Sequence, residues 1–140
     1  MHISRRNLIL TASSALAIGS ICGSQANASL VDEHTSAFTG GAELGTGVIE
    51  LDAPEIAENG NTVPISVSAP GAVSIMLLAA GNPVPAVATF NFGPLSAARS
   101  GSTRIRLAKS QDVIAVAKME DGTFQTAQAT VKVTIGGCGG

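Results

Sequence analysis

The segment from Ala127 to Ile135 alternates apolar and polar side chains without a break. Its odd-numbered positions are Ala, Val or Ile, and the even-numbered positions between them are Gln, Thr or Lys. Successive side chains of a β-strand point to opposite faces of the sheet, so this period of two predicts a strand with one buried and one solvated face. Such a strand is typical of an antiparallel sheet, because parallel sheets are usually covered on both faces.

Six more segments upstream have the composition of strands, and turn signals separate them. The segments are Val48–Leu51, Val63–Val67, Val73–Ala79, Ala86–Phe92, Arg104–Leu107 and Val113–Met119, with Asn59-Gly60 and Asp121-Gly122 among the turn signals. No helical pattern of ten or more residues separates them, which argues against a βαβ fold. About seven strands predict an all-β, immunoglobulin-like antiparallel β-sandwich over residues 29–135. We expect a helical turn within Thr35–Leu44, and Pro64 at the start of its strand or on a sheet edge.

The first 28 residues have the layout of an export signal. Arg5-Arg6 precedes apolar residues, and Ala26-Asn27-Ala28 offers small side chains for cleavage. We expect a twin-arginine signal peptide, recognised through Arg5 and Arg6 and removed after Ala28. Its apolar stretch is shorter than the roughly 20 residues that span a bilayer, so we expect no membrane anchor. Cys22 is expected to leave with the signal, and the mature chain of 112 residues to form one domain in the periplasm.

The charge and the aromatic content of the mature chain narrow its possible partners. Two of the eight basic residues leave with the signal and all ten acidic residues stay, so the net charge becomes −4. This balance offers no electrostatic footprint for nucleic acid, and no basic amphipathic segment suggests a membrane surface. The only aromatic residues are four phenylalanines, which we interpret as core residues rather than as a stacking surface.

Few residues of the mature chain could support catalysis or metal binding. His34 is its single histidine, and with one cysteine far away in the sequence it makes no convincing zinc site. Glu50, Asp52, Glu55 and Glu58 flank turns, and we interpret them as a solvated surface rather than as an acid–base pair. The glycine pairs do not lead into a helix and do not predict a phosphate site. These residues therefore predict no metal site and no convincing catalytic constellation.

The chain ends on a cysteine between two pairs of glycines: Cys138 lies between Gly136-Gly137 and Gly139-Gly140. Glycine adopts positive φ freely, so residues 136–140 are expected to form a flexible arm. An odd cysteine in an exported chain indicates an intermolecular bond or a reactive thiol. A free thiol with a pKa of about 8.5 is mostly protonated at pH 7, so such an arm would depend on another protein's pocket for activation. These features favour a carrier that attaches, delivers and releases a group.

Two other functions stay open on the residues alone. The chain could be a structural or interaction module in which Cys138 makes a permanent intermolecular disulfide. It could instead be a thiol enzyme in which His34 activates Cys138.

Several segments resemble the SoxY family, the sulfur-carrier (thiosulfate-binding) subunits of the bacterial Sox thiosulfate-oxidising system. Val131–Gly140 is similar to the family's strand that runs into a terminal glycine–cysteine motif. Ala57–Gly60 with Val63-Pro64, then Asn82-Pro83, Ser102–Leu107, Ser110-Gln111 and Asp121-Gly122, follow the family's order. The resemblance covers most of the mature chain, from about Ala53 to the C-terminus, and the twin-arginine signal fits it.

The resemblance implies that Cys138 is a site of covalent substrate attachment and that Gly136, Gly137, Gly139 and Gly140 form the carrier arm. In that family a c-type haem enzyme joins thiosulfate oxidatively to the cysteine as a cysteine S-thiosulfonate. A hydrolase then releases sulfate, and a sulfane dehydrogenase oxidises the sulfur that remains. The resemblance also implies a heterodimer with SoxZ, a second small β-sandwich protein, and no cofactor in this chain. If the chain is exported together with a SoxZ partner that has no signal of its own, this would explain the use of the twin-arginine route, which carries folded proteins.

Overall fold

The computed structural model describes residues 25–134, in which one helix precedes nine strands arranged in two sheets. The elements are α1 (Gln25–Thr39), β1 (Leu44–Gly45), β2 (Glu50–Asp52), β3 (Ile56–Ala57), β4 (Val63–Ser68), β5 (Ala72–Ala79), β6 (Ala86–Asn91), β7 (Ser100–Ile105), β8 (Gln111–Met119) and β9 (Phe124–Val133). This arrangement confirms the predicted all-β sandwich. The seven predicted strands correspond to β2 and β4–β9. The additional strands, β1 and β3, have two residues each, which is too short for a recognisable pattern.

The larger sheet has the order β1-β9-β8-β5-β6, and β3 also pairs with β9. The longest ladder joins β8 to β9 in antiparallel register, from Gln111↔Val131 to Lys118↔Phe124. The predicted turn at Asp121-Gly122 connects them, and Gly122 has the positive φ of 85° that the turn requires. Two pairings depart from the antiparallel prediction: β1 and β3 both run parallel to β9, β1 at the beginning of β9 and β3 at its end.

The smaller sheet has the order β2-β4-β7 and is antiparallel throughout. Pro64 is the second residue of β4, the central strand of this sheet. However, β2 pairs only with Ser66–Ser68, so Pro64 has a strand neighbour on the β7 side alone, at Arg104. Pro64 therefore lies at the start of its strand and at a local edge, where its missing N–H costs no ladder bond.

The main core fills the space between the two sheets. Alternate residues of the strands face inward, as the period of two requires. The largest of these fully buried inward-facing side chains are Val63, Ile65, Val67, Ile75, Leu77, Val113 and Val131. On one open side of the sandwich, the Phe90 ring of β6 packs directly on Gly101 of β7, and a Cβ at Gly101 would lie 2.6 Å from that ring. Phe90 and Gly101 thus close the gap between the edges of the two sheets.

A second apolar cluster lies on the outer face of the larger sheet, where α1 covers it. Val31 and Phe38 of the helix pack against a surface that includes Leu78 and Val116. The Phe38 ring also meets the Phe124 ring edge to face, with centroids 6.1 Å apart and an interplanar angle of 73°. Because one face of β5 packs in the core and the other under the helix, its residues from Ile75 to Ala79 are all apolar rather than alternating.

The helix lies earlier in the chain than the sequence predicted. The predicted turn spanned Thr35–Leu44, whereas α1 begins at Gln25 and ends at Thr39, and Leu44 belongs to β1. Gly40 and Gly41 have φ values of 67° and 83°, so this glycine pair ends the helix instead of lying within it. Among residues 25–134, no helix combines the length and the apolar character that crossing a membrane requires.

Candidate functional site

The residues predicted to attach substrate, to form the arm and to direct export lie beyond the part of the chain that the structure describes. Cys138 and the glycines Gly136, Gly137, Gly139 and Gly140 follow the last described residue, and Arg5 and Arg6 precede the first. Thr134, the last described residue, is four positions before Cys138. The candidate site is therefore described at the end of β9, the described part of the chain that lies nearest to Cys138 in the sequence. We call this region the exit site and define it by Ala57, Gly60, Ser110, Val133 and Thr134.

One side of the exit site is formed by β3. Ile56 and Ala57 pair in parallel with Lys132 and Val133. The Lys132 N–H donates to the Glu55 carbonyl at 2.9 Å, and the Thr134 N–H donates to the Ala57 carbonyl at 3.1 Å. Backbone bonds to β3 therefore continue up to the last described residue.

The other side of the exit site is formed by a side chain rather than by a strand. The β8·β9 ladder stops at the Gln111↔Val131 pair, because β8 begins at Gln111. Beyond it, the Ser110 hydroxyl accepts a hydrogen bond from the Val133 N–H at 2.9 Å and donates one to the Val133 carbonyl at 3.3 Å. One hydroxyl thus serves both backbone groups that a continued antiparallel strand would bind.

A buried pair of amide side chains shapes the loop that carries Ser110. The Asn82 amide nitrogen donates to the Arg106 carbonyl at 2.7 Å, and its oxygen accepts bonds from the Ala108 N–H and from Gln111 Nε2, each at 3.0 Å. Gln111 Nε2 also donates to the Lys109 carbonyl at 2.9 Å. Asn82 and Gln111 are both buried, so these bonds replace water contacts that the loop has lost.

Gly60 completes the packing around the end of β9. It is buried, and its carbonyl accepts the Leu107 N–H at 2.7 Å. A Cβ at this position would lie 2.6 Å from the Leu107 carbonyl oxygen and 2.9 Å from a methyl group of Val133. The absence of a side chain at residue 60 is therefore what lets the turn after β3 approach both the 106–110 loop and the end of β9.

Two open, largely apolar hollows flank the exit site. One, of about 480 Å³, is lined by residues of β3, of the following turn and of the start of β4, including Ile56 and Val63. The other, of about 370 Å³, lies beside Asn82, Val84 and Arg106. Ile56 and Val84 are 59% and 66% exposed, so this end of the sandwich presents large apolar side chains to solvent. Such side chains are unusual on the surface unless they are scattered singly or meet a partner.

His34 lies on α1, one helical turn before Phe38, and is partly buried. Phe38 packs on Phe124, the first residue of β9, whereas the exit site lies at the other end of that strand. Ten strand residues span about 30 Å, and four residues beyond Thr134 reach at most about 14 Å. This geometry disfavours the pairing of His34 with Cys138 that a thiol enzyme would need.

The remaining titratable groups do not form a second site. Glu50, Asp52, Glu55 and Glu58 are all exposed, which confirms their interpretation as a solvated surface. Within residues 25–134, no group of three or more His, Cys, Asp and Glu side chains is arranged to hold a metal ion.

The comparisons with known proteins identify the family. The family of sulfur oxidation protein SoxY matches residues 35–138, a span that ends on Cys138. The chain belongs to the SoxY family. The SoxY structure from Chlorobium limicola f thiosulfatophilum, described as a sulfur carrier protein, is similar to this SoxY chain with 36% sequence identity and a TM-score of 0.68. The similarity covers 77% of this chain and 99% of that one.

More distant structures share the fold alone. A superoxide reductase (neelaredoxin) from Ignicoccus hospitalis is 19% identical with a TM-score of 0.56, covering 63% of this chain and 81% of that one. A putative superoxide reductase from Thermotoga maritima is 18% identical with a TM-score of 0.53, covering 69% and 90%. Among curated protein sequences, none matches this chain. SoxY membership and the Chlorobium structure support a sulfur carrier in sulfur oxidation, and the family implies a Sox system with a SoxZ partner.

The structure adds residues that the sequence did not single out as functional. Ser110, Asn82 and Gln111 appeared only as parts of segments that resemble the family, with no role attached. Apart from the local bond between Gln111 and Lys109, their hydrogen bonds join loops that are far apart in the chain, at sequence separations of 23 to 30 residues. A single sequence carries no pattern for such contacts. The only sequence signal was that Asn82, Ser110 and Gln111 fall within segments that resemble the family. In the structure these segments lie at one end of the fold, together with Ala57–Gly60 and residues 131–134.

Proposed function

We propose that this SoxY chain is a periplasmic carrier that covalently holds thiosulfate-derived sulfur on Cys138 and presents it to partner enzymes. The observation that carries the proposal is the family match, which extends through the chain and ends on Cys138. The fold supports it, because the backbone is held on both sides up to Thr134, four residues before that cysteine. A thiol four residues beyond a fixed point can extend at most about 14 Å, which suits insertion into another protein's pocket.

The proposed loading step forms a disulfide-type bond between the Cys138 sulfur and the outer sulfur of thiosulfate. The thiol loses its proton, and two electrons pass to the c-type haem enzyme that catalyses the step. The product is the cysteine S-thiosulfonate, Cys–S–S–SO₃⁻. The haem of the partner enzyme is the proposed two-electron oxidant.

The proposed release step breaks the bond between the outer sulfur and the sulfonate group. Water supplies the oxygen that converts the sulfonate to sulfate, two protons are released, and Cys138 keeps a persulfide anion. A hydrolase catalyses this step, and a sulfane dehydrogenase oxidises the remaining sulfur. In all of these steps the chain carries the substrate and the partner enzymes catalyse the reactions. The chain needs no cofactor of its own.

The proposed setting of this chemistry is the periplasm. Arg5 and Arg6 would direct export by the twin-arginine route, and the chain would travel and work as a heterodimer with SoxZ. The exposed apolar side chains at the exit site, Ile56 and Val84, support contact with other proteins at that end of the sandwich. The acidic net charge and the scarcity of aromatic residues argue against nucleic acid as a partner.

The test is intact-protein and peptide mass spectrometry of the chain purified from cells that oxidise thiosulfate. We expect adducts of thiosulfate-derived sulfur on the peptide that carries Cys138, and we expect a reductant to remove them. Cys138→Ser should abolish both the adducts and thiosulfate oxidation, whereas His34→Ala should leave both unchanged. Full thiosulfate oxidation by Cys138→Ser would refute the carrier function. A stoichiometric covalent dimer on non-reducing gels, without adducts, would instead favour a structural disulfide.

A further inference from the structure

We propose that Ser110 is a positioning residue of the carrier: with β3, it holds the end of β9 in place and so sets the position from which the chain continues towards Cys138. This inference rests on the proposed function and adds a role for residues outside the arm. It concerns how firmly the backbone ahead of Cys138 is held, rather than the chemistry at the sulfur.

The hydrogen bonds at the end of β9 alternate between two supports. Three consecutive N–H groups, those of residues 132, 133 and 134, donate in turn to the Glu55 carbonyl, the Ser110 hydroxyl and the Ala57 carbonyl. Lys132 and Thr134 therefore depend on β3, and Val133 depends on Ser110. Without the hydroxyl, Val133 would lack a protein partner on the β8 side, although β3 would still bind its neighbours.

The position of Ser110 is itself determined by the buried amide pair. A continued β8·β9 ladder would use the backbone of Lys109 opposite Val133, but the Lys109 carbonyl accepts Gln111 Nε2 instead. Asn82 holds the loop on the other side through Arg106 and Ala108. The backbone has thus turned away from β9 at this point, and the Ser110 hydroxyl takes over its hydrogen bonds. Ser110 is exposed, and within residues 25–134 its hydroxyl is held by these two hydrogen bonds to Val133.

The number of free residues determines how often the thiol occupies a partner's pocket. With Thr134 fixed, four residues lead to Cys138. Whenever Ser110 and β3 both release β9 back to the last ladder pair at Val131, seven residues lead to it. The effective concentration of a tethered group falls with roughly the −3/2 power of the tether length, so this change lowers it by about twofold. A longer free segment would therefore slow transfer even though the sulfur and the docking surfaces are unchanged.

The structural test is amide hydrogen exchange on the full mature chain with its partner subunit, comparing wild type with Ser110→Ala. We expect exchange at Val133 to become about two- to tenfold faster, the range that corresponds to one ordinary hydrogen bond. Ser110→Thr keeps the hydroxyl and should restore the wild-type rate. The matched control is Ser102→Ala, which removes an exposed hydroxyl bonded to Ser66 at 2.8 Å on the other sheet. It should leave Val133 unchanged.

The functional test measures the initial rate of Cys138 adduct formation from thiosulfate by the haem enzyme, at varied carrier concentration. Because β3 still holds Lys132 and Thr134 in Ser110→Ala, the tether lengthens only part of the time; we therefore expect kcat to fall by less than about twofold with KM for the carrier unchanged, and Ser110→Thr to restore kcat. Unchanged exchange at Val133 would overturn the inference. Faster exchange with wild-type kcat would reduce Ser110 to a structural residue and also overturn it, as would a change confined to KM. The exchange experiment needs no sulfur chemistry, so it stands or fails separately from the proposed function.

Discussion

Gly60→Ala is expected to destabilise the chain at the exit site. The added Cβ would lie 2.6 Å from the Leu107 carbonyl oxygen and 2.9 Å from a methyl group of Val133. The first of these neighbours is backbone and cannot rotate away. The turn after β3 or the 106–110 loop must therefore move, which strains the 2.7 Å hydrogen bond from the Leu107 N–H to the Gly60 carbonyl.

The magnitude follows from two opposing effects. Inserting a methyl group into a well-packed region costs about 1–3 kcal/mol. Replacing glycine by alanine recovers about 0.4–1 kcal/mol, because it reduces the conformational freedom of the unfolded chain. We therefore expect Gly60→Ala to lower the free energy of unfolding by about 1–2 kcal/mol. For a domain of about 110 residues this corresponds to a fall in Tm of roughly 4 °C or more.

The assay is urea unfolding of the mature chain, with amide chemical shifts as a local readout. Val133 and Leu107 should shift in Gly60→Ala, and the core strands should not. Gly93→Ala is the control, because nothing lies within 4 Å of a Cβ at that exposed position. Equal stability of Gly60→Ala and wild type, with unchanged shifts at Val133, would refute the packing described for the exit site.

Three further changes test other parts of the fold. Asn82→Ala leaves buried backbone groups without partners and should cost about 2–4 kcal/mol in urea unfolding, whereas a cost below about 0.5 kcal/mol would contradict the network. Gly101→Ala forces the Phe90 ring aside and should cost about 1–3 kcal/mol, with Phe90 proton shifts as the readout; an unmoved ring would contradict the contact. Hydrogen bonds from the Thr123 hydroxyl and amide lower the pKa of Asp121, so its NMR titration should fall below the usual 3.8. The small stabilisation that this exposed turn provides should be fully present above pH 3.8 and lost as the pH falls through the lowered native pKa of Asp121. A titration midpoint of Asp121 at or above 3.8 would contradict these hydrogen bonds.

The strands and their faces could be predicted from the sequence where the pattern is long. β9 shows this most clearly, because its odd-numbered residues Ala127, Ala129 and Val131 are less exposed than the residues between them. The nine-residue alternation from Ala127 to Ile135 has few alternative explanations. The run at β5 predicted a strand, but its burial on both faces depends on α1, whose amphipathic pattern is weak.

The residues around the exit site could not be predicted in the same way. β3 has two residues and pairs in parallel with β9, so neither its length nor its direction leaves a periodic signal. Ser110 and Gln111 act through side-chain hydrogen bonds that replace a strand, and a single sequence gives no register for such contacts. The predicted attachment residue is the reverse case. The sequence alone singled out Cys138, but it lies outside residues 25–134, which the structure describes.

The start of α1 has a consequence for maturation. The helix begins at Gln25, so removal of the signal after Ala28 would cut within its first turn, where the backbone N–H groups have no helical partners in any case. The new first residue, Ser29, is a favoured helix N-cap, and Asp32 follows three positions later, as in a capping box. Val31 and Phe38, which attach the helix to the sheet, both lie after the cut. A peptidase could therefore trim the folded protein and leave a shorter helix that already contains its own terminal cap.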